Sequence, residues 1–214
     1  MPRRKVKLEN GYYYHVLNRS IQSIPIFGSP RQSQIFLELL DYYNNEKPPI
    51  KFSFRNSPSI KRSSNQTKLV EILNYCIMPN HFHLTLKQNI DNGISTFMQR
   101  ALNSFSHFYN KKFKNQGALF QGTFKSIQIT TTEQLIHLSR YIHLNPVTAH
   151  IVDLPQDYEF SSFKIYINPG SSIMVNSAPV LTEFGSIDKY KEFVLNRRDY
   201  QRNLAAIKKL LLEK

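Results

Sequence analysis

The 214-residue sequence is short of cysteine and of long apolar runs. Cys76 is its only cysteine, which excludes an intramolecular disulfide framework and favours a reducing, cytoplasmic setting. No apolar run approaches the ~20 residues that span a bilayer, and no apolar segment follows the basic residues 1–5. We therefore expect neither a membrane anchor nor a signal peptide. Hydrophobic residues make up 41% of the chain, which predicts a globular protein with a core of its own.

Acidic residues are also scarce. Asp and Glu number 15 against 28 Lys and Arg, which gives a formal net charge of +13. This excess suits a polyanionic partner, because Lys and Arg neutralise phosphates and release counterions. A solubility charge or a preference for membrane surfaces would produce the same composition. The Tyr and Phe residues interleaved among the basic ones favour nucleic acid.

Apolar periodicity and helix-start signals predict an alternating order of strands and helices. The predicted elements are a strand at residues 12–19, a helix from Pro30 capped by Ser29, strands at 69–76 and 81–87, a helix after Gly93, a strand at 119–129 with a bulge at Gly122, and a helix from Thr131 or Thr132. Pro146 is expected to end or kink that last helix. The order β-α-β-β-α-β is the split pattern of a ferredoxin-like sheet. The sequence therefore predicts an α+β fold with a mainly antiparallel sheet and helices packed on it.

Two segments stand outside this pattern. Residues 47–68 predict an exposed basic loop around a short strand at residues 50–54, either a passive connector or a loop that contacts DNA. Residues 204–212 predict a C-terminal helix.

The hairpin strand at residues 81–87 opens with His81-Phe82-His83. Residues i and i+2 of a strand point to the same face, so the two histidines project side by side and Phe82 points to the opposite, core side. Two neighbouring imidazoles can hold one metal ion. They can equally be two partly exposed histidines with no ligand.

The last predicted helix carries His137, Tyr141 and Asn145 at spacing four, on one face. A tyrosine hydroxyl is a poor nucleophile at its ordinary pKa of about 10 and needs a metal or a cation to react near neutrality. A tyrosine at helical spacing is more often a packed residue with its hydroxyl at the surface. His137 and the other histidines, His15, His107, His143 and His150, are interpreted as packed or surface residues.

These motifs together resemble those of a known family. The segment Met78-Pro79-Asn80-His81-Phe82-His83-Leu84 is similar to the signature of single-tyrosine HUH transposases, and Arg140-Tyr141-Ile142-His143-Leu144-Asn145-Pro146 is similar to their tyrosine helix. The chain most resembles the REP-associated tyrosine transposases of the insertion-sequence-200-like group. On this resemblance, we expect residues 1–168 to form the catalytic domain and residues 169–214 a C-terminal helical extension.

The resemblance implies a role for each candidate residue. Tyr141 would attack a phosphate of single-stranded or hairpin DNA and form a 5′-phosphotyrosine link, which frees a 3′-hydroxyl. His81, His83 and Asn145 would hold a divalent cation, Mg²⁺ or Mn²⁺ by family habit, although imidazole donors alone suit Zn, Ni or Fe better. We expect DNA contacts from Arg19, Lys61, Arg62, Lys125 and Arg140. We also expect a nucleoid-associated location, with monomer and homodimer both left open.

Two other functions fit parts of the sequence. A two-histidine phosphoesterase would use His83-Leu84-Thr85-Leu86 as one His-x-Thr-x element, but the nearest second copy, at residues 137–140, has Ser for Thr and lies in a predicted helix. A non-catalytic hairpin-binding protein derived from a transposase would keep the same residues without turnover.

Overall fold

The computed structural model describes residues 7–47, 52, 67–170 and 174–197. Its sheet has four strands in the spatial order β2-β3-β1-β4, and every neighbouring pair is antiparallel. The strands are β1 (Tyr13–Arg19), β2 (Val70–Met78), β3 (His81–Gln88) and β4 (Lys125–Ile129). The helices are α1 (Pro30–Tyr43), α2 (Gly93–Phe113), α3 (Thr132–Thr148), α4 (Phe163–Ile167), α5 (Ala178–Leu181) and α6 (Ile187–Leu195). The predicted ferredoxin-like α+β class is confirmed. Within the described ranges, no helix is both long and apolar enough to cross a bilayer.

The local signals in the sequence place the helix starts. Ser29 caps α1, and the backbone N–H of Ser29 donates to Gln32 Oε1 at 2.7 Å, which closes a capping box. Thr131 caps α3, where its Oγ1 accepts from the backbone N–H of Gln134 at 3.1 Å. These caps satisfy backbone donors that the first helical turn leaves unpaired.

One face of the sheet carries the hydrophobic core, against α1 and α2. Its centre is an aromatic cluster whose rings lie 4.8 to 6.5 Å apart, made of Phe27, Phe36, Phe82, Phe105 and Phe120. Phe82 is fully buried there, as the strand alternation predicts. This face fixes the position of β3 and so fixes which residues point away from the core.

The opposite face packs against α3, chiefly through β2. A buried chain of hydrogen bonds anchors this helix: His143 Nδ1 lies 2.7 Å from the Tyr190 hydroxyl of α6, and His143 Nε2 lies 2.9 Å from Ser162 Oγ. Ser162 Oγ accepts from the backbone N–H of Tyr75 at 2.9 Å, and Ser139 Oγ lies 2.6 Å from the Tyr190 hydroxyl. Because buried polar groups are costly when unpaired, this network holds α3 in one position relative to β2.

Two predictions of local structure are wrong. The strand predicted at 119–129 begins only at Lys125, because Gly122 adopts a φ of +71° in a bend and Phe120 makes only an isolated bridge to Ser20. Pro146 does not end α3, which runs on to Thr148.

The tolerance of Pro146 has a simple reason. A proline in a helix removes one N–H donor, and near the C-terminal end that loss affects a single bond. The end remains satisfied, since Asn145 O accepts from the backbone N–H of Ala149 at 2.9 Å and Pro146 O accepts from that of Ile151 at 2.9 Å. Asn145 is therefore helical and stays on the same side of α3 as Tyr141.

Several predictions fall on other parts of the chain. Lys61, Arg62 and the helix at 204–212 lie outside the described residues, as does nearly all of the strand predicted at 50–54. The division at residue 168 stays a prediction.

Candidate active site

His81 and His83 lie side by side on the face of β3 that points away from the aromatic core. Their ring centres are 5.1 Å apart and the ring planes are inclined by 88°. In register, Arg19 of β1 lies opposite His81, and Cys76 of β2 lies opposite His83. The pair therefore sits at the start of the inner strand β3, between Arg19 on one side and Cys76 on the other.

Each histidine of the pair uses its Nδ1 atom within the protein. His81 Nδ1 lies 2.6 Å from Asn80 Oδ1, and His83 Nδ1 lies 2.9 Å from Nε2 of His15 on β1. Across the described ranges, neither Nε2 atom has a hydrogen-bond partner. Both Nε2 atoms are therefore the ones that can meet a ligand.

These imidazoles are neutral near pH 7. Burial lowers the pKa of His81 to about 4, helped by the charge of Arg19. Burial also lowers the pKa of His83 to about 2, with further contributions from His81, His15 and Arg19. The pKa of His15 falls to about 4 through burial. A neutral imidazole keeps a lone pair, which is the form that binds a metal.

The separation of the two ring centres is the one expected of two imidazoles that share a cation. Imidazoles bound to one ion at about 2.1 Å place their ring centres roughly 5 Å apart when the N–metal–N angle is near 100°. In the part of the chain that the structure describes, no group of three His, Cys, Asp or Glu side chains could hold a metal ion. A third protein ligand from those ranges would have to be of another residue type, and Asn145, four residues after Tyr141 on α3, stays the predicted one.

Tyr141 projects from α3 toward the histidines. Its ring centre lies 5.5 Å from that of His83 and 6.4 Å from that of His15, edge-on to both, and the side chain is 41% exposed. Asn145 Nδ2 donates to the Tyr141 backbone carbonyl at 3.0 Å. Burial raises the pKa of the Tyr141 hydroxyl, while a hydrogen bond from the Asn145 side chain and the charge of Arg19 act in the opposite direction. The hydroxyl is thus protonated at rest, beside groups that favour its anion.

Three other tyrosines that lie in or near the sheet and its helices have different surroundings. Tyr75 is buried on the core face, where burial raises its pKa to about 12. The Tyr158 hydroxyl donates to the Ile77 carbonyl at 2.7 Å. Tyr109 packs against Phe113 on α2, with ring centres 4.5 Å apart. Of these four tyrosines, Tyr141 alone makes ring contact with the histidine pair.

The residues predicted to contact DNA separate into two groups. Arg19 and Lys125 are exposed on the same sheet face as the histidines, because Lys125 pairs with Leu17 and Leu17 with His83. Arg140 instead stacks its guanidinium 4.1 Å from the ring centre of Phe193, and its Nη2 lies 2.8 Å from His137 Nδ1. Arg140 thus has a packing role against α6.

Two further histidines, His137 and His15, have different surroundings. His137 contacts Arg140, Glu133 and Phe193 at the side of α3, which agrees with a surface residue. His15 is packed as well, but it lies at the site, where its Nε2 is 2.9 Å from His83 Nδ1. The alternation of β1 places Tyr13, His15 and Leu17 on one face, but a single sequence does not reveal that this face meets His83 across the sheet.

Comparison with known proteins gives one family match. Residues 55–145, a span that contains His81, His83, Tyr141 and Asn145, match the family described as Transposase IS200 like. No protein of curated function matches the chain.

A solved structure has a similar fold. A REP-associated tyrosine transposase bound to a REP hairpin matches with a TM-score of 0.55 and 16% identity, over 81% of this chain and 90% of that one. At this identity the match shows the fold. A bacterial tRNA(His) guanylyltransferase-like protein in complex with ATP has a TM-score of 0.39 and 11% identity, over 72% of this chain and 67% of that one, too low to carry an argument. The resemblance to insertion-sequence-200-like transposases that the motifs indicated is confirmed by the family match, and the fold of a REP-associated member by the solved structure.

Proposed function

We propose that this protein is a metal-dependent, transposase-like enzyme that cleaves and rejoins single-stranded DNA near hairpins through Tyr141. The observation that carries the proposal is the position of the Tyr141 ring, 5.5 Å from the ring of His83 and on the same sheet face as two neutral histidines. The match to the IS200-like transposases supports the reaction class.

The reaction is a transesterification in which the number of phosphate ester bonds stays constant. The Tyr141 oxygen bonds to phosphorus while the bond from phosphorus to the 3′-oxygen breaks, which gives a 5′-phosphotyrosine and a free 3′-hydroxyl. The proton lost by the tyrosine is balanced by the proton gained at the leaving 3′-oxygen. Arg19 would stabilise the phenolate and the phosphate charge, since its positive charge already opposes the rise that burial causes in the pKa of Tyr141. Rejoining is the same step in reverse.

The metal site is part of the proposal. His81 and His83 would hold the ion through Nε2, with Asn145 as third ligand. Mg²⁺ or Mn²⁺ follows from the family likeness. When bound, such a cation polarises a phosphate oxygen and stabilises the charge that develops during attack.

Hairpin DNA is the proposed substrate. The solved transposase of the same fold is bound to a REP hairpin. Arg19 and Lys125 lie exposed beside the histidines, where a strand leading to Tyr141 would pass. Lys61, Arg62 and Arg140 stay predicted contacts, and the cytoplasmic, nucleoid-associated location stays a prediction. One copy of the chain brings Tyr141 and the histidine pair together, so this site does not require a dimer.

A labelled-strand experiment tests the proposal. The protein is incubated with Mn²⁺ and a panel of hairpin-bearing single strands, labelled at either the 5′ or the 3′ end. A denaturation-resistant adduct should carry the 3′ label, and the 5′-labelled fragment should be released with a free 3′-hydroxyl. Tight hairpin binding with no adduct would contradict catalysis and favour the non-catalytic binding protein.

A further inference from the structure

We propose that His15 is a positioning residue that holds His83 in the one tautomer able to bind a metal ion. The inference rests on the proposed function, because it assigns His15 a task at the metal site proposed there. It concerns a histidine that stands 68 residues from His83 in the sequence and on a different strand.

The contact between the two rings has the geometry of a hydrogen bond in the ring planes. His15 Nε2 lies 2.9 Å from His83 Nδ1, and the two rings are inclined by only 25°. Their centres are 5.1 Å apart. A hydrogen bond at this distance needs a proton on one of the two nitrogens and a lone pair on the other, and an imidazole can supply either.

The position of that proton decides whether His83 can bind a metal. If His83 Nδ1–H donates to His15 Nε2, the lone pair of His83 lies on Nε2, where a cation can be bound. If His15 Nε2–H donates instead, the proton of His83 moves to Nε2 and blocks that atom. Metal-binding histidines usually donate their second N–H to a fixed acceptor, which sets both the tautomer and the ring orientation.

His81 shows the same arrangement with a different acceptor. Its Nδ1 lies 2.6 Å from Asn80 Oδ1, and an amide oxygen can only accept, so the proton is on Nδ1 and the lone pair on Nε2. The Asn80 orientation is set in turn, since its Nδ2 donates to the Ser23 carbonyl at 3.3 Å. Both histidines can present Nε2 to the same ion only if His15 Nε2 accepts from His83 Nδ1–H, as Asn80 Oδ1 accepts from His81 Nδ1–H.

His15 is unsuited to be a ligand itself. Its Nε2 atom is directed at His83 Nδ1, and the three histidines do not form a group that could hold a metal. Its ring also lies farther from Tyr141 than the ring of His83 does, 6.4 against 5.5 Å. It therefore acts on the cation through His83.

Two substitutions of His15 distinguish the effect of its hydrogen-bond acceptor from the effect of its ring. His15→Phe keeps a planar ring but removes the acceptor, and we expect the affinity for Mn²⁺, measured by titration calorimetry, to fall about 10- to 100-fold. His15→Gln provides an amide oxygen that can accept from His83 Nδ1, and should recover most of that loss. His107→Phe, at an exposed histidine of α2, is the matched control and should bind as the wild type does.

A second readout does not depend on the metal. Nitrogen-15 spectra of the metal-free wild type should show His83 protonated at Nδ1 and unprotonated at Nε2, and His15→Phe should shift this toward the Nε2–H form. Thermal melting confirms that each variant is folded before its affinity is interpreted.

The outcomes distinguish this inference from the proposed function. If the wild type does not bind Mn²⁺, the proposed metal site fails, while the spectra still decide the tautomer. If the wild type binds and His15→Phe binds equally well, or if metal-free His83 carries its proton on Nε2, the role of His15 is refuted alone. If His15→Gln loses as much affinity as His81→Ala, His15 is a ligand and not a positioning residue.

Discussion

The two faces of strand β3 have opposite properties although their residues alternate along one short segment. Phe82, Leu84 and Leu86 are fully buried against the aromatic core of α1 and α2. His81 and His83 point the other way, to a face that α3 covers mainly over β2. The buried face holds strand β3 in place. Because the strand is held, the opposite face can position the two histidine rings accurately.

The histidine face is itself divided. Over β2 it is closed by α3, and Cys76, Met78 and Ile142 are buried there. Toward the end of β1 and the start of β4 it is more open: Arg19 and Lys125 are exposed, and Ile127, two residues after Lys125, is 60% exposed. The candidate site lies at the border between the two, where a DNA strand could reach Tyr141 from the open side.

The largest expected effect on strand cleavage comes from removing the hydroxyl oxygen of Tyr141, on the histidine face of the sheet. Tyr141→Phe should lower strand cleavage by about 10⁴-fold or more, because it removes the nucleophile. Hairpin binding and the unfolding free energy should change little, since the side chain is half-exposed. Tyr158→Phe is the matched control and should cleave normally. Full cleavage by the Tyr141 variant, measured with labelled strands, would contradict the assignment.

Substitution of the proposed metal ligands should have the next largest effect on cleavage. His83→Ala or His81→Ala should reduce cleavage by about 10³-fold, since a bound cation contributes several kcal/mol to the barrier reduction. Hairpin affinity, measured by fluorescence anisotropy, should remain close to that of the wild type. His150→Ala, an exposed histidine, provides the control. Wild-type cleavage rates in either variant with metal present would show that the pair binds no catalytic ion.

A substitution on the core face should change the stability of the protein and not the chemistry of cleavage. Phe82→Ala should lower the unfolding free energy by about 3–5 kcal/mol, because it leaves a cavity among the aromatic rings. His81→Ala, one residue away on the other face, should cost less than about 1.5 kcal/mol. Denaturant titration compares the two variants. Equal losses would mean that the two faces do not differ as described.

The smallest effect is expected at the open edge of the histidine face. Lys125→Ala should reduce the slope of log affinity against log salt by about 0.7, the contribution of one phosphate contact on a single strand. Lys189→Ala on α6, equally exposed but away from the sheet, should leave the slope unchanged. Identical slopes for both variants would remove Lys125 from the DNA surface.

The sequence predicts the core face well because burial leaves a regular pattern. The alternation in β3, the apolar stripe of α2 and the caps at Ser29 and Thr131 are local signals, and all of them are confirmed. The shortened β4 and the continuation of α3 past Pro146 depend instead on tertiary packing.

The candidate site is less visible in the sequence. His81 and His83 are neighbours on one strand, and Tyr141 and Asn145 are four apart on one helix, so each pair can be found locally. The approach of Tyr141 to the histidines depends on how α3 packs on the sheet, which only the resemblance implied. His15 joins the site through the register of β1 against β3, and no local pattern encodes that register.

The most direct measurement of the central claim is peptide mapping of the trapped protein–DNA adduct. After cleavage of a hairpin-bearing strand in the presence of Mn²⁺, the protein is digested and the nucleotide-bearing peptide is sequenced by mass spectrometry. The account predicts a nucleotide 5′-phosphate on Tyr141 and on no other of the 12 tyrosines. A modified Tyr75, Tyr109 or Tyr158 in place of Tyr141 would contradict it.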